Sequence, residues 1–186
     1  MSGALVRPAG WWRRNRWGVV ALVPVLVVSL GVTLETAYDS YWKGKPHLAV
    51  APASDGWVEY AGAKMRLLTL TPVEKLEKLG GAPFPIPDGV RIWRAQIAFQ
   101  VTSLDSVGGC TVSAEDARGR IYASNPAILI GADVPYPGCR PESTATPSPS
   151  FAIDAYFMLP RADRPVAVRV ILPTRLPAYA RLTTSS

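Results

Sequence analysis

The eighteen residues from Trp17 to Leu34 carry no formal charge and consist mostly of Val, Leu, Ala and Gly. As a helix, such a run is roughly 27 Å long, which matches the hydrocarbon thickness of a bilayer. Pro24 lies inside it, and proline is tolerated in membrane helices because neighbouring groups satisfy the freed carbonyl. Arg7, Arg13, Arg14 and Arg16 precede the run without any acid, and Glu35 follows it directly. Basic flanks favour the cytoplasmic side, so residues 1–16 are expected inside and the long C-terminal part outside. Trp11, Trp12 and Trp17 stand at one boundary, and Tyr38, Tyr41 and Trp42 at the other, as an interfacial aromatic belt requires.

Two uses of such a segment stay open, a retained anchor and a cleaved signal. The apolar stretch is longer than the 7–15 residues usual in a signal. No Ala-x-Ala site follows it, and its nearest imitation, Ser29-Leu30-Gly31, lies within it. The retained anchor is therefore the expectation, with the helix continuing to Lys43 before Gly44 and Pro46 end it. The chain divides into a cytoplasmic terminus (1–16), a transmembrane and juxtamembrane helix (17–43), a linker (44–55) and an outer domain (56–183).

The formal charge of +6 is mostly a topology signal, because the four leading arginines leave only +2 for the remainder. No basic stripe in the outer part resembles a phosphate-tracking surface, so nucleic acid is not an expected partner. Cys110 and Cys139 are the two cysteines, and an even count outside the membrane reads as one disulfide. Free thiols or half a metal site are the alternatives, but His47 is the sole histidine and zinc needs about four ligands. No cofactor is expected.

Beyond Pro46 the periodicity becomes that of strands. In "WRAQIAFQV", Trp93, Ala95, Ile97, Phe99 and Val101 share one face. "FAIDAYFML" places Phe151, Ile153, Ala155, Phe157 and Leu159 together, and "PVAVRVIL" would turn Val166, Val168, Val170 and Leu172 inward. Weaker strands are expected over 56–62, 63–70 and "AYARL". A hairpin is expected from Cys110–Ala114 and Arg120–Ala123 around Gly119. "TPVEKLEKLGG" carries the marks of one short helix: Thr71 as cap, Pro72 at the first position, Glu74 closing a capping box. The fold class is thus mainly β, an antiparallel immunoglobulin-like sandwich with one short helix behind an N-terminal transmembrane helix. The proline-rich Gly80–Gly89 and the Ser/Thr/Pro-rich Cys139–Ser150 read as loops, the latter either bare or sugar-bearing.

The run "VRIWRAQIAFQVTS", then "CTVSAEDARGRIYAS", then a long loop and "FAIDAYFMLP…VAVRVIL", resembles bacterial envelope domains of immunoglobulin-like, telokin-like type. Asp116, Gly119 and Tyr122 match the hairpin pattern of those domains. The arginine-rich front resembles that of uncharacterised single-pass membrane proteins of actinobacteria. The resemblance spans roughly residues 56–172 and implies a fold only, since such domains share no catalytic residues.

Little chemistry is visible. His47 adjoins Pro46 in the juxtamembrane connection, and Glu115 and Asp116, being adjacent in a strand, face opposite ways and read as solubilisers of the turn. Neither a phosphate-cradling nor a calcium-binding loop pattern occurs. No enzymatic activity is expected. The leading expectation is a membrane-anchored extracytoplasmic interaction module of the cell envelope, held in the bilayer by Trp17–Leu34. It would contact an envelope or membrane protein through Phe84 and Ile86 or by strand addition, with Phe84 equally expected to cap the sandwich core instead. The alternative is a small-ligand or cell-wall glycan binding domain using Trp57, Tyr60, Tyr122 and Tyr156 as a platform of rings. An unfamiliar enzyme, with two polar groups converging in a pocket, comes third.

Overall fold

The computed structural model describes residues 10–135, 138–141 and 149–184. The chain divides into two units, Met1–Lys45 and Pro46–Ser186.

In the first unit, α1 runs over Trp11–Tyr38 and continues as a π-helical turn over Asp39–Lys43. Asn15–Lys43 is long and apolar enough to cross a membrane, and none of its most apolar stretch is buried. Such a helix serves either as a membrane anchor or as a signal sequence. Its hydroxyls are spent locally: Thr33 Oγ1 donates to the Ser29 carbonyl at 2.7 Å and Thr36 Oγ1 to that of Val32 at 2.9 Å. That removes two polar groups from an apolar surface. Beyond them Lys43 pairs with Asp39 at 2.6 Å, and Lys45 Nζ lies 3.9 Å from the Tyr41 ring centroid.

The second unit is a β-sandwich. Its strands are β1 (Leu48–Val50), β2 (Val58–Tyr60), β3 (Ala63–Val73), β4 (Val90–Val101), β5 (Thr111–Asp116), β6 (Ile121–Ala123), β7 (Ser150–Pro160), β8 (Pro165–Ile171) and β9 (Ala178–Leu182). One sheet has the order β1-β9-β8-β5-β6 and the other β2-β3-β4-β7. All pairs are antiparallel except β1 with β9, which is parallel. The three-residue β1 lies within the stretch expected as linker, 44–55, and its mostly exposed side chains explain why no alternation announced it.

Between the sheets lies the core, with Met65, Ile97, Phe99, Phe157, Leu159, Val168, Val170, Leu172 and Leu182 almost fully enclosed. Each side chain of this size contributes about 1.5–3 kcal/mol before entropy is charged against it. Phe99 and Phe151 stack at 5.2 Å, and the Tyr60 hydroxyl joins the two sheets. It donates to the Ala178 carbonyl at 2.9 Å and accepts from the Leu172 N–H at 3.4 Å. Burial raises the Tyr60 hydroxyl above its ordinary value, with the Leu172 N–H and the Arg175 charge opposing.

Two expectations are corrected. "TPVEKLEKLGG" forms no helix: Thr71–Val73 complete β3, Pro72 sits across from Trp93, and Leu76 turns into a second apolar cluster. β2 pairs only with Ala63–Met65, so this end of β3 borders open space, where a missing proline N–H costs little. Val166 does not point inward but is 42% exposed. The ladder steps from Glu115 opposite Ala167 to Asp116 opposite Pro165, so Val166 is the extra residue of a bulge and is turned out.

Candidate interaction site

The aromatic residues proposed for a sugar platform do not share a face. Tyr60 is 6% exposed and belongs to the main core. Trp57 is half-buried under the Arg66 guanidinium, 5.0 Å from its ring centroid. Tyr122 packs against the main core from β6, and Tyr156 against the second cluster from β7. These four rings therefore do not form one flat exposed array.

Phe84 and Ile86 lie closer to the packed alternative than to the exposed one. Both are half-buried and pack with Leu76, Ile92, Leu129 and Ala132 in the second cluster. The apolar groups left outside are their neighbours in the chain. Leu79 is 73% and Ile130 82% exposed, and Ile128 is half-exposed beside them. They are held by a strap between two loops. Leu79 N–H donates to the Gly131 carbonyl at 3.1 Å, Asp133 N–H donates to that of Glu77 at 2.7 Å, and Lys78 bridges Ala132. Gly131 adopts φ +89°, a left-handed turn that a side chain would oppose. Leu76 and Leu129 are buried in the cluster, while Leu79, Ile128 and Ile130 on the same two loops are exposed.

The tip lies at a defined end of the sandwich. Pro46 and β1 belong where β9 begins, because Leu48 pairs with Ala178. Tyr60 reaches that same end through Ala178, and β3 runs away from it toward Val73. The loop over residues 74–89 springs from the far end of the sandwich, opposite Pro46.

A second feature lies along the flank. A groove of about 590 Å³ runs between β7 and the Cys110–Cys139 disulfide, lined among others by Gln96, Val107, Arg140, Ala152 and Asp154. The cysteine Cα atoms are 5.9 Å apart and the bond closes 29 residues of separation, as the cysteine count led one to expect. Within the groove Asp154 is bound to Arg94 at 2.5 Å, whereas Arg140 is exposed and has no ion pair among the described residues.

The charged residues of the hairpin are structural. Asp116 is 3% exposed, so it is a buried turn acceptor rather than a surface solubiliser. It accepts from the N–H groups of Arg118 and Arg120 at 2.8 and 2.9 Å, from Arg120 Nε at 2.7 Å, and from the Tyr122 hydroxyl at 3.2 Å. Burial alone would raise this carboxyl, but the Arg120 and Arg118 hydrogen bonds outweigh it and hold Asp116 below its ordinary value. Glu115 faces outward and takes a forked contact from Arg181, with Nη2 to Oε1 at 2.9 Å. The remaining sequence candidate, His47, is exposed, and its backbone N–H donates to the Pro177 carbonyl. Among the described residues no three of His, Cys, Asp and Glu converge as metal ligands. The central part of the Ser/Thr/Pro-rich loop, 142–148, lies outside the described residues.

No family model matches the chain, and no curated protein matches it. A solved structure similar to it is an uncharacterised beta-sandwich protein from Clostridium difficile 630. The two are 12% identical with a TM-score of 0.44, over 76% of this chain and 96% of that one. At this distance the likeness carries no functional argument.

Proposed function

We propose that this chain is a membrane-anchored interaction module of the cell envelope, with the sandwich displayed outside the cytoplasm and no catalytic role of its own. The observation that carries this reading is the placing of exposed apolar surface. Leu79, Ile128 and Ile130 are gathered by a backbone strap at the end of the sandwich opposite Pro46. Singly scattered exposed aliphatics need no explanation, but a cluster built on a hydrogen-bonded frame is what a contact surface presents.

The anchor supports the reading through its length and its arginine-rich front, and the disulfide supports it because such bonds persist in oxidising compartments. The likeness in pattern to actinobacterial single-pass proteins belongs to this same reading. The test is in whole cells. A photo-crosslinking residue at Ile130 should capture a different protein, and protease added outside a permeable wall should digest the sandwich. Recovery of this chain alone, or complete protection from protease, overturns the reading.

A further inference from the structure

β7 is bonded to β4 along one side over Ser150–Pro160. On its other side, Tyr156 shows how the strand's free groups are aimed. The Asn125 N–H donates to the Tyr156 carbonyl at 2.7 Å, and the Tyr156 N–H donates to Asn125 Oδ1 at 3.1 Å. Ser124 bridges Phe157 in the same pairing. Peptide groups alternate along a strand, so Ala152 and Asp154 aim their N–H and carbonyl groups to this same side. The short pairing ends where Pro126, which has no N–H, follows Asn125 and the chain turns into a 3-10 helix over Ala127–Leu129. Among the described residues nothing pairs with the outward backbone groups of Ala152 and Asp154. The disulfide groove lies directly along them.

We propose that this stretch of the β7 edge is a strand-addition slot, and that its occupant is an extended, acidic peptide segment of a partner protein. An incoming strand would continue the line begun by Ser124 and Asn125, with its backbone bonding Ala152 and Asp154. Its charge follows from the groove. Arg94 engages Asp154 through Oδ2 and balances its charge, Asp154 Oδ1 is buried without a hydrogen bond among the described residues, and Arg140 stands as a cation without an ion pair among them. An aspartate or glutamate side chain is the complement to Arg140. An exposed edge of this kind is ordinarily blocked by charge, proline or a covering loop, and among the described residues the two-residue Ser124–Asn125 patch covers only the part around Tyr156 and Phe157. The proposal rests on the reading of the chain as an interaction module and names the chemistry of the partner.

The test uses the full chain in detergent micelles and a fluorescent synthetic peptide of about ten residues, alternating Val and Thr with one central Asp. Peptide anisotropy reports binding, and amide hydrogen exchange reports where it occurs. The Asp peptide should bind saturably and protect residues 150–155. Replacing Asp with Lys in the peptide, or Arg140→Glu in the protein, should each weaken binding about tenfold, and the two changes together should restore it. Ala152→Pro removes the outward N–H without touching the β4 ladder and should also weaken binding about tenfold. No saturable binding up to about 1 mM, protection elsewhere on the domain, or equal binding by the Arg140→Glu protein overturns the proposal. Binding in micelles is independent of membrane sidedness, so a failed topology test leaves this result standing and the reverse also holds.

Discussion

Arg169 Nη2 donates to the Pro46 carbonyl at 3.0 Å while its guanidinium carbon lies 3.8 Å from the centroid of the Tyr179 ring. One side chain thus clamps the first residue of the sandwich to β8 and covers the outer face of β9. With only 11% of that side chain exposed, the contacts are largely removed from solvent screening. Lysine keeps the charge but lacks the flat surface for stacking on the ring. Arg169→Lys should therefore lose about 1–3 kcal/mol in urea unfolding of the full chain in micelles. Arg164→Lys, at an exposed position, should stay within about 0.5 kcal/mol and serves as the comparison.

The turn acceptor gives a pH dependence with a definite sign. The Asp116 carboxyl in the folded protein sits below its ordinary value, so the unfolded chain binds its proton first as acid is added. The contribution of Asp116 is fully present above the ordinary carboxylate value and disappears as pH falls through the depressed folded value. Asp116→Asn keeps an acceptor oxygen for the turn but cannot ionise. At neutral pH the native protein should be the more stable of the two, and the gap should close on acidification. A gap that is constant across that range, measured by urea unfolding at stepped pH, would show that the carboxylate charge is irrelevant to the turn.

How far the amino-acid pattern could be read depended on where each residue finds its partners. Residues 93–101 and 151–159 were legible because each strand has one face on the core, so burial imprints a period of two directly. Cys110 and Cys139 were legible from their number. The capping residues of Thr71–Glu74 are a local signal, and it lost to a distant one: β4 supplies backbone partners for Thr71–Val73, and Phe84 and Ile86 supply the cluster for Leu76. Of the site, Phe84 reads equally as a contact group and as a cap of the core, because hydrophobicity alone does not separate a cluster from a tip. Leu79, Ile128 and Ile130 were missed for the same reason. The β7 edge leaves no trace in composition at all, since it is made of backbone.

The bulge at Val166 makes neighbouring valines unequal. Val168 is fully enclosed, so Val168→Ala should cost about 1–3 kcal/mol from lost burial and the space left behind. Val166→Thr should change stability by no more than about 0.5 kcal/mol. Equal losses at both positions in denaturant unfolding would place Val166 in the core and remove the bulge from solution.

Opening the Cys110–Cys139 bond should act on one flank of the groove. The paired Cys110→Ser and Cys139→Ser protein should lose on the order of 3 kcal/mol, the value for releasing a loop of this length in the unfolded chain. Hydrogen exchange should quicken across residues 138–141 and 107–110, which the bond ties together, while α1 is unchanged. Mass measurement before and after reduction of the native protein should differ by two hydrogen atoms. Two free thiols before reduction would contradict the bond itself.

Leu79 and Ile130 offer a separation of folding from contact that core positions do not. Both are largely exposed on the strapped loops, so Leu79→Lys and Ile130→Asp should each shift unfolding by no more than about 0.5 kcal/mol. Leu129, the intervening buried residue, is the contrast: Leu129→Ala should cost about 2–5 kcal/mol because it empties the second cluster. If the tip is the contact surface, the two charged variants should abolish capture by a crosslinker placed at Ile128 while the chain remains folded and in the membrane fraction. Capture that survives both substitutions would move the contact away from this end of the sandwich and leave the β7 flank as the surface to examine.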